Sequence, residues 1–347
     1  MKMCEAMANA GHSVTLVTKR CRSREEPGVR DDFAFYGVEP GFSIVKLPRP
    51  GLRGGGALYA AFVFARLLAS RDTLVYTRDP ITAWLASRLK RTLIFEQHGV
   101  LTSRRVNRLI DAALRSPCLR RLVLVSGALQ ASYLAAGRHP RHGDIVVAHD
   151  GADAPSAPQK PPAMGSRPRI GYVGSFYPGK GVDMVIELAR RIPEAKFEIL
   201  GGDRPRLARL AAAGLPPNLE LVGFVGHGEL KRRYPTFDVL LMPYGRRVMP
   251  AGGDLDISRF MSPLKMFEYM ASGVAILSSD MPVLREVLEH ERNAILVPPE
   301  EPESWERALR WLIGDPQLRR RLGESARKDL VDHFTWAARA QQVLEGV

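Results

Sequence analysis

The chain has 347 residues, of which 45% are hydrophobic and 25% charged, as in an average soluble globular protein. This length predicts two domains, and the composition excludes long disordered, collagen-like or coiled-coil segments. The net charge of +13 lies mostly in the first half: residues 1–150 carry 23 basic and 12 acidic side chains, and residues 151–347 carry 27 and 25. A basic half indicates nucleic acid, an anionic membrane surface or an acidic substrate as partner. Because no nucleic-acid-binding motif accompanies the charge, we favour the membrane surface and expect no nucleic acid.

The cysteines and the start of the chain indicate a cellular compartment. Cys4, Cys21 and Cys118 are odd in number and have no metal-binding spacing, which predicts neither disulfides nor a zinc site and favours a reducing cytoplasm. The opening MKMCEAMANAGHS has no signal-peptide core. The longest apolar run, residues 57–65, is far shorter than the roughly 20 residues of a membrane span. We therefore expect a cytoplasmic protein, with peripheral attachment to the inner membrane face as a further expectation.

In chain order, short runs rich in Val, Ile and Leu alternate with amphipathic stretches, the pattern of βα units around a parallel sheet. The first half predicts an opening helix at residues 4–10, then five strands and four helices. The strands are Val14–Thr18, Thr73–Tyr76, Thr92–Glu96, Leu122–Val125 and Asp144–Ala148. The helices are Leu58–Ser70, Ile81–Lys90, Ser103–Arg115 and Ala128–Ala136. A linker rich in Pro, Ala and Gly follows at residues 151–168, so the predicted domains are residues 1–155 and 165–347.

After the linker the alternation restarts. The predicted strands are Arg169–Val173, Lys196–Leu200, Leu219–Phe224, Val239–Met242, Val274–Ser278 and Ala294–Val297. The predicted helices are Val182–Arg191, Pro263–Ala271, Pro302–Ile313 and Pro316–His333. A short tail closes the chain, and the last helix is expected to pack back on the first domain.

The first candidate site is a glycine-rich turn between a predicted strand and helix. Gly174, Gly179 and Gly181 place free N–H groups at the positive end of the next helix, and Lys180 adds a mobile charge. The turn therefore predicts a phosphate site; the alternative is an ordinary turn with a solvated lysine. It nearly matches a P-loop, but glycine replaces the Ser or Thr that would hold Mg²⁺.

The second candidate site is the segment SPLKMFEYMASG. Ser262 is predicted as a helix N-cap, Pro263 as the first helical residue and Gly273 as the stop. The helix start is then a second anion site at the sheet edge where parallel strands end. Glu268, more than a turn into the helix, can accept two hydrogen bonds from a ribose diol. The alternative is a Lys265–Glu268 pair on a solvated face.

Two features of the first half complete the candidates. His98 follows a predicted strand in the segment EQHG, so it can donate or relay a proton at a ligand-binding edge; a purely structural histidine is the alternative. Ser103–Arg121 combines arginines with an apolar stripe, as in a helix that rests on anionic lipid; a solvated face over a core is the alternative. The arginines are Arg104, Arg105, Arg108, Arg115, Arg120 and Arg121, and the stripe is Leu101, Val106, Leu109, Ile110, Ala113 and Leu114.

These pieces, in this order, resemble the family-4 glycosyltransferases (glycosyl transferases group 1), and the resemblance covers most of the chain. GYVGSFYPGKGVDMVIELA is similar to that family's phosphate loop, and SPLKMFEYMASGVAILSSD to its donor-site segment. VYTRDP, EQHG, VLVSGAL, VAHDGAD, VGFVGHGEL, FDVLLMPY, NAILVPP and FTW also match. The resemblance implies an α/β protein of the GT-B fold, in which two Rossmann-like domains face each other across a cleft. Here the first domain lacks its opening strand.

The resemblance also implies an activity: retaining transfer of a sugar from a nucleotide-diphosphate sugar to a glycan, lipid-linked or small-molecule acceptor, with a place in cell-envelope polysaccharide synthesis. It implies His98, Lys180 and Glu268 as catalytic. The implied donor-binding residues are Gly174, Ser175, Lys180, Phe224, Val225, Ser262, Pro263, Leu264, Lys265 and Glu268. Lys180 would meet the diphosphate, Glu268 the ribose, the Phe224–Val225 turn the base, and His98 the sugar. No cofactor and no metal are expected, because two helix ends and a lysine can neutralise the leaving group.

Three departures from the family pattern keep alternatives open. Phe260 stands eight positions before Glu268, where the family has a sugar-facing glutamate, although Asp254 or Asp256 could reach in. Ser175 occupies a position that is often basic. The opening strand and its glycine turn are missing, and we expect roughly 20 residues of them upstream of Met1. A catalytically inactive nucleotide-sugar-binding protein and a nucleotide-sugar epimerase on the same fold are the alternatives.

Overall fold

The chain divides into two compact units, each built from parallel β-strands and flanking helices, so the α/β class predicted from the sequence is confirmed. The computed structural model describes residues 1–20, 31–48, 55–70, 73–155, 167–250 and 255–347. The first unit comprises Met1–His149 and Ala337–Val347, and the second comprises Asp150–Trp336. The chain thus passes into the second unit at the start of the predicted linker, of which residues 156–166 lie outside the described residues.

The first unit contains two separate parallel sheets. Its elements are α1 (Lys2–Asn9), β1 (Thr15–Lys19), α2 (Asp32–Tyr36), β2 (Ser43–Leu47), α3 (Gly55–Ala69), β3 (Val75–Thr77), α4 (Pro80–Arg88), β4 (Leu93–Gln97), α5 (Arg104–Leu114), β5 (Leu119–Leu124), α6 (Gly127–Ala135) and β6 (Asp144–Val147). Strands β1 and β2 pair with each other, and the other four follow the order β3-β4-β5-β6. Within the described ranges no strand joins β1 to β3. Strand β4 is buried along its whole length.

The second unit is built around one six-stranded parallel sheet. Its elements are β7 (Arg169–Val173), α7 (Val182–Arg191), β8 (Lys196–Leu200), α8 (Arg204–Ala212), β9 (Leu219–Gly223), α9 (His227–Arg233), a 3₁₀ turn (Tyr234–Thr236), β10 (Val239–Met242), α10 (Leu264–Ser272), β11 (Ala275–Ser279), β12 (Ile295–Val297), α11 (Pro302–Gly314) and α12 (Pro316–His333). The strand order is β12-β11-β10-β7-β8-β9. The order therefore reverses between β7 and β10, and ligands of open α/β sheets bind at such a reversal, beyond the carboxyl ends of the strands.

The chain ends in a helix that returns to the first unit. Residues predicted as a tail form α13 (Trp336–Leu344), whereas α12 stays in the second unit. Val343 of α13 is buried in the first unit's core against Ile94 and Val123. The guanidinium of Arg121 donates to the carbonyls of the last helical turn at 2.8–2.9 Å, those of Gln342, Val343 and Glu345. These bonds satisfy carbonyls that have no partner within the helix.

The two ends of the second unit are bonded to each other. Ala152 N–H donates to the carbonyl of Phe334 at 3.1 Å, and Trp336 N–H donates to the carbonyl of Ala152 at 3.1 Å. A Cβ at Gly151 would lie 2.5 Å from the Phe334 carbonyl oxygen, so only glycine permits this approach. The segments that enter and leave the second unit therefore lie side by side.

Candidate functional site

The predicted phosphate loop follows β7 at the strand-order reversal. Two of its glycines are required by close backbone contacts. A Cβ at Gly179 would lie 1.7 Å from the carbonyl oxygen of Arg247, and one at Gly181 would lie 1.8 Å from that of Pro243; both have positive φ, +77° and +86°. Gly181 is also the N-cap of α7, which has no side-chain cap. The first N–H groups of α7, which lack partners within the helix, therefore open onto this loop.

Lys180 lies within the loop and is half-buried. Its Nζ is 5.2 Å from the centroid of the Tyr244 ring, and burial lowers the pKa of its ammonium group. The buried Tyr172 hydroxyl lies 2.9 Å from the Lys180 carbonyl oxygen and 3.3 Å from that of Ser175. The tyrosine thereby fixes the backbone at both ends of the loop.

Lys265 enters the same site from α10. Its Nζ lies 4.3 Å from the centroid of the Tyr172 ring and 5.0 Å from that of Tyr244. This nitrogen is buried and has no hydrogen-bond partner among the described residues. Burial, followed by repulsion from Lys180, holds the pKa of Lys265 well below its ordinary value. We call Tyr172, Lys180, Tyr244 and Lys265 the lysine–tyrosine cluster.

The alternative of a solvated Lys265–Glu268 pair is therefore wrong, because the two side chains have different surroundings. Gly174 approaches Lys265 closely: a Cβ on it would lie 2.8 Å from the lysine Nζ. The Lys265 side chain thus lies beside Gly174, the residue that precedes Ser175 in the loop.

The amino end of α10 differs from the prediction in its cap. The N-cap is Pro263, without a side-chain hydrogen bond, and the helix begins at Leu264. Ser262 is not the cap, because its Oγ accepts a hydrogen bond from Asp150 N–H at 2.9 Å. The first amide groups, those of Leu264 and Lys265, are left for an external acceptor. Gly273 ends the helix in a left-handed conformation, as predicted.

Glu268 lies one turn further along α10, in different surroundings. Its Oε2 accepts a hydrogen bond from the Tyr234 hydroxyl at 2.6 Å. Burial of the carboxyl raises the pKa of Glu268, and the bond from Tyr234 only partly offsets this effect. The ionisable neighbours of the carboxylate are His227, Asp153 and Lys231, and the last two form an ion pair. One carboxylate oxygen is therefore already engaged, and the other can accept hydrogen bonds from a ligand.

The turn after β9 presents one aromatic side chain. Phe224 is 71% exposed, the most exposed of the large apolar residues in the described ranges, whereas Val225 is buried. Three residues later His227 begins α9, beside Glu268. Of the predicted pair, Phe224 is therefore the side chain that a planar ligand can stack on, and Val225 contributes packing.

The loop before α10 has one carboxylate in its described part, that of Asp256. Asp256 Oδ1 accepts hydrogen bonds from the N–H groups of Val248 and Ser258, both at 2.9 Å. Although burial opposes it, these bonds hold the pKa of Asp256 below its ordinary value. Asp256 therefore ties the loop together through one of its two carboxylate oxygens. Asp254 lies outside the described residues, and Phe260 is buried.

In the first unit, His98 follows β4 and its side chain is 35% exposed. Its Nε2 is hydrogen-bonded to Glu96, which is fully buried. Neither Glu96 nor Arg339, which also contacts it, was identified from the sequence. The segment EQHG contains the glutamate at the right spacing, but no local signal shows that an arginine 243 residues away in the chain meets it.

The basic segment of the first unit is shorter than predicted. Helix α5 ends at Leu114, and Arg120 and Arg121 lie on β5, where Arg121 is buried in an ion pair with Asp144. Arg104, Arg105 and Arg108 are exposed on α5, together with Arg115 just beyond it. Ile110, Ala113 and Leu114 of the apolar stripe are buried in the core.

The described residues contain no group of three or more His, Cys, Asp or Glu side chains placed to hold a metal ion. None of their helices is both long and apolar enough to cross a bilayer.

Comparison with known proteins identifies relatives of both units. A family described as "Glycosyl transferases group 1" matches residues 153–329, just over half of the chain. Alpha-D-kanosaminyltransferase of Streptomyces kanamyceticus is 25% identical over 273 residues, which cover 76% of this chain and 62% of that protein. The first four curated relatives are matched over 40–62% of their own length, so the chain spans less than two thirds of each.

Solved structures share the fold at low sequence identity. Sucrose-phosphate synthase from Thermosynechococcus elongatus has a TM-score of 0.72 at 20% identity, over 98% of this chain and 90% of that one. Anabaena HepE in complex with UDP has a TM-score of 0.68 at 14% identity, over 96% and 99%. Likeness at this identity shows the two-domain architecture alone.

Proposed function

Since the chain belongs to the glycosyl transferases group 1, we propose that it transfers a sugar from a nucleotide-diphosphate sugar to a hydroxyl acceptor with retention at the anomeric carbon. In this reaction the bond from the anomeric carbon to the diphosphate oxygen breaks, and the acceptor oxygen bonds to the same face of that carbon. The acceptor proton leaves with the diphosphate. The support for retention is the family resemblance. The support for the donor class is the set of site residues in the second unit.

The observation that carries the proposal is the buried ammonium group of Lys265, which has no hydrogen-bond partner within the described chain. An unpaired buried charge is unfavourable unless a ligand compensates it. Lys180 lies near the same Tyr244 ring, and the amino ends of α7 and α10 adjoin the cluster. Two cations and two helix ends together match the charge of a diphosphate.

Other side chains of the second unit are placed to contact the ribose and the base of the donor. The free oxygen of Glu268 is placed to accept from a ribose hydroxyl, and the exposed ring of Phe224 offers a stacking surface for the base. HepE, which shares the fold, is known in complex with UDP, and this supports a nucleotide ligand here. The role proposed for His98, a contact with the transferred sugar, comes from the family resemblance and needs its own test.

The chemistry follows from where charge develops. As the glycosidic bond lengthens, negative charge accumulates on the departing diphosphate, and preorganised positive groups stabilise that transition state more than the ground state. Lys180, Lys265 and the helix ends supply those groups. We therefore propose that transfer needs no metal or cofactor, which the experiment below tests with EDTA.

A thermal-shift panel tests the donor site: UDP, GDP, ADP and dTDP, each with Mg²⁺ and with EDTA, and ATP beside them. A ligand at 100 times its dissociation constant stabilises the protein by about 2.7 kcal/mol. We expect one diphosphate to bind in both conditions. Binding only of Mg²⁺–ATP would instead support a nucleoside triphosphatase, and binding of nothing would contradict the proposal.

Product analysis with the matching nucleotide sugars then tests the reaction. We expect a new glycoside whose anomeric configuration, read by NMR, equals that of the donor. An altered nucleotide sugar without acceptor would identify an epimerase. A nucleotide complex that releases neither sugar nor glycoside would identify an inactive binding protein.

We also propose that the first unit meets an anionic acceptor or membrane surface through the exposed arginines of α5. Each basic side chain near an anionic surface contributes about 1 kcal/mol. Replacement of Arg104 and Arg105 by Glu should therefore abolish sedimentation with phosphatidylserine vesicles at low salt. Replacement of Arg320 and Arg321, an equally exposed pair on α12, changes the net charge by the same amount and should leave sedimentation intact. Equal losses in both variants would refute a role for α5.

A further inference from the structure

The carboxylate of Glu96 is the centre of a buried polar cluster in the first unit. The residue is fully buried. Its Oε1 is bonded to His98 Nε2 and lies 3.1 Å from Arg78 Nε. Its Oε2 accepts from the Tyr76 hydroxyl and lies 3.3 Å from Arg339 Nη1. Both oxygens of the carboxylate are thus occupied, and three of the four partners are far from it in sequence.

The cluster keeps Glu96 ionised. Burial works against its charge, but the hydrogen bond from His98 and the guanidinium of Arg339 outweigh burial and hold the pKa of Glu96 below its ordinary value. An ionised carboxylate can only accept hydrogen bonds. Its bond to His98 therefore requires a proton on Nε2 of the imidazole, and in the neutral ring this leaves Nδ1 as the unprotonated nitrogen.

Arg339 lies on the last helix of the chain, α13, and reaches this cluster from there. The residue is almost fully buried. Its Nε donates to the His149 carbonyl at 2.7 Å, and its Nη2 donates to the Ala148 carbonyl at 3.2 Å. These bonds fix the guanidinium on the backbone that follows β6, independently of Glu96. Arg121 separately holds the far end of α13, so the helix has two arginine anchors, of which only Arg339 touches Glu96.

We propose that Glu96 and Arg339 are positioning residues for His98: they fix its ring and its Nε2–H tautomer, so that Nδ1 is the nitrogen offered to a ligand. Arg339 on the last helix then helps to set the ring orientation and tautomer of His98, which precedes it by more than 200 residues. What His98 does with Nδ1 rests on the proposed function, but the tautomer itself does not.

The test is two-bond ¹H–¹⁵N correlation spectroscopy of the full chain labelled at histidine, with the His98 signals assigned from H98N. In the wild type at a pH where the ring is neutral, we expect the Nε2–H pattern. In E96Q an amide can present either oxygen or N–H to the ring, so a mixture of tautomers is expected. In R339M, Glu96 loses its buried cation and can protonate, which again releases the tautomer.

R121M is the matched control, since it weakens the anchoring of α13 without touching Glu96 and should keep the Nε2–H pattern. Should R339M fail to fold, the wild type and E96Q still decide the matter. An Nδ1–H wild type, or an E96Q spectrum equal to the wild type, would overturn the proposal.

Kinetics separate this proposal from the proposed function. If sugar transfer is observed, E96Q and R339M should lower kcat by about 10- to 100-fold, the scale of a misplaced reacting group, while the KM for the donor changes less than about twofold, as for a group that acts only in the transition state. A protein without transferase activity but with the expected tautomer would refute the function and leave the positioning intact. Normal kcat in both variants would refute the positioning.

Discussion

Lys265 holds its ammonium group where a folded chain normally avoids a charge. The nitrogen is buried among Tyr172, Tyr244 and Lys180, and the aromatic rings offer only a weak cation–π attraction in place of water. The arrangement is unfavourable in the free protein and favourable once an anion arrives. On the proposed function, Lys265 serves binding at the expense of stability.

K265M should separate those two roles. Methionine has a similar length and no charge, so we expect the free protein to gain about 1 kcal/mol of unfolding free energy, or roughly 2–4 °C in Tm. Affinity for the nucleoside diphosphate should fall about tenfold to a hundredfold, the value of a hydrogen bond to a charged group. K328M, at an exposed lysine, is the control and should change neither. A destabilised K265M that still binds would contradict this account.

The affinity should also depend on pH in a defined direction. Burial holds the pKa of Lys265 well below its ordinary value in the free protein, and a bound diphosphate raises it again. Binding therefore takes up protons between the two pKa values, and the affinity should weaken as pH rises through that range. Calorimetry at pH 8–9 in two buffers of different ionisation enthalpy should show uptake of up to about one proton. Proton release, or uptake that K265M does not reduce, would be the contrary result.

At the scale of the element, the phosphate loop depends on two glycines packed against the segment after β10. Gly181 and Gly214 have nearly the same φ, +86° and +81°, but a Cβ would meet the Pro243 carbonyl at Gly181 and nothing at Gly214. Conformational strain is thus common to both positions, about 1–2 kcal/mol for a residue other than glycine. Only Gly181 adds a collision.

G181A should therefore destabilise the second unit by about 1–3 kcal/mol more than G214A, the range for an overpacked site. It should also weaken diphosphate binding, because the backbone must move to relieve the contact at the start of α7. Chemical denaturation and nucleotide titration of both variants measure the two effects. Equal stability of the two variants would show that the loop does not need this close approach.

The sequence predicted the central elements well where packing and local pattern agree. Val182–Arg191, Lys196–Leu200, Val239–Met242 and Pro316–His333 have the predicted bounds, because a buried strand and an amphipathic helix each impose their own period. Missed were α2, β2, α8, α9 and α13. Helix α2 has five residues, too few for a period. In α13, alanine and glutamine dilute the apolar stripe, so only contact with the first unit reveals it.

In the candidate site, too, the features set by local sequence were predicted and those set by distant residues were not. Gly181, Lys180 and Gly273 were placed correctly because glycine turns and helix stops are local in sequence. Lys265 was named as a donor residue, but its surroundings could not be predicted, since Tyr172 lies on β7 and Tyr244 in the segment after β10. Ser262 failed as a cap because a distant amide, that of Asp150, competes for its hydroxyl. Local patterns cannot show such competition.

For the whole molecule, the last helix is the element with the largest predicted effect on stability. Removal of residues 337–347 would leave Glu96 without Arg339, and loss of one partner of a buried ion pair costs about 3–5 kcal/mol. We expect hydrogen exchange to accelerate in β4, β5 and β6 of the first unit and to stay unchanged in the sheet of the second. Removal of the exposed Gly346 and Val347 alone is the control. Faster exchange in both units would contradict the expectation that the last helix stabilises only the first unit.

The bonded pair of segments at Ala152 and Thr335 gives the second unit adjoining ends, as in a domain inserted into another. The first and last codons of the second unit therefore encode segments that are neighbours in space. A short loop can close the gap that removal of this unit would leave in the rest of the chain. On the proposed function, recombination between relatives can therefore exchange the unit that binds the donor while the first unit is retained.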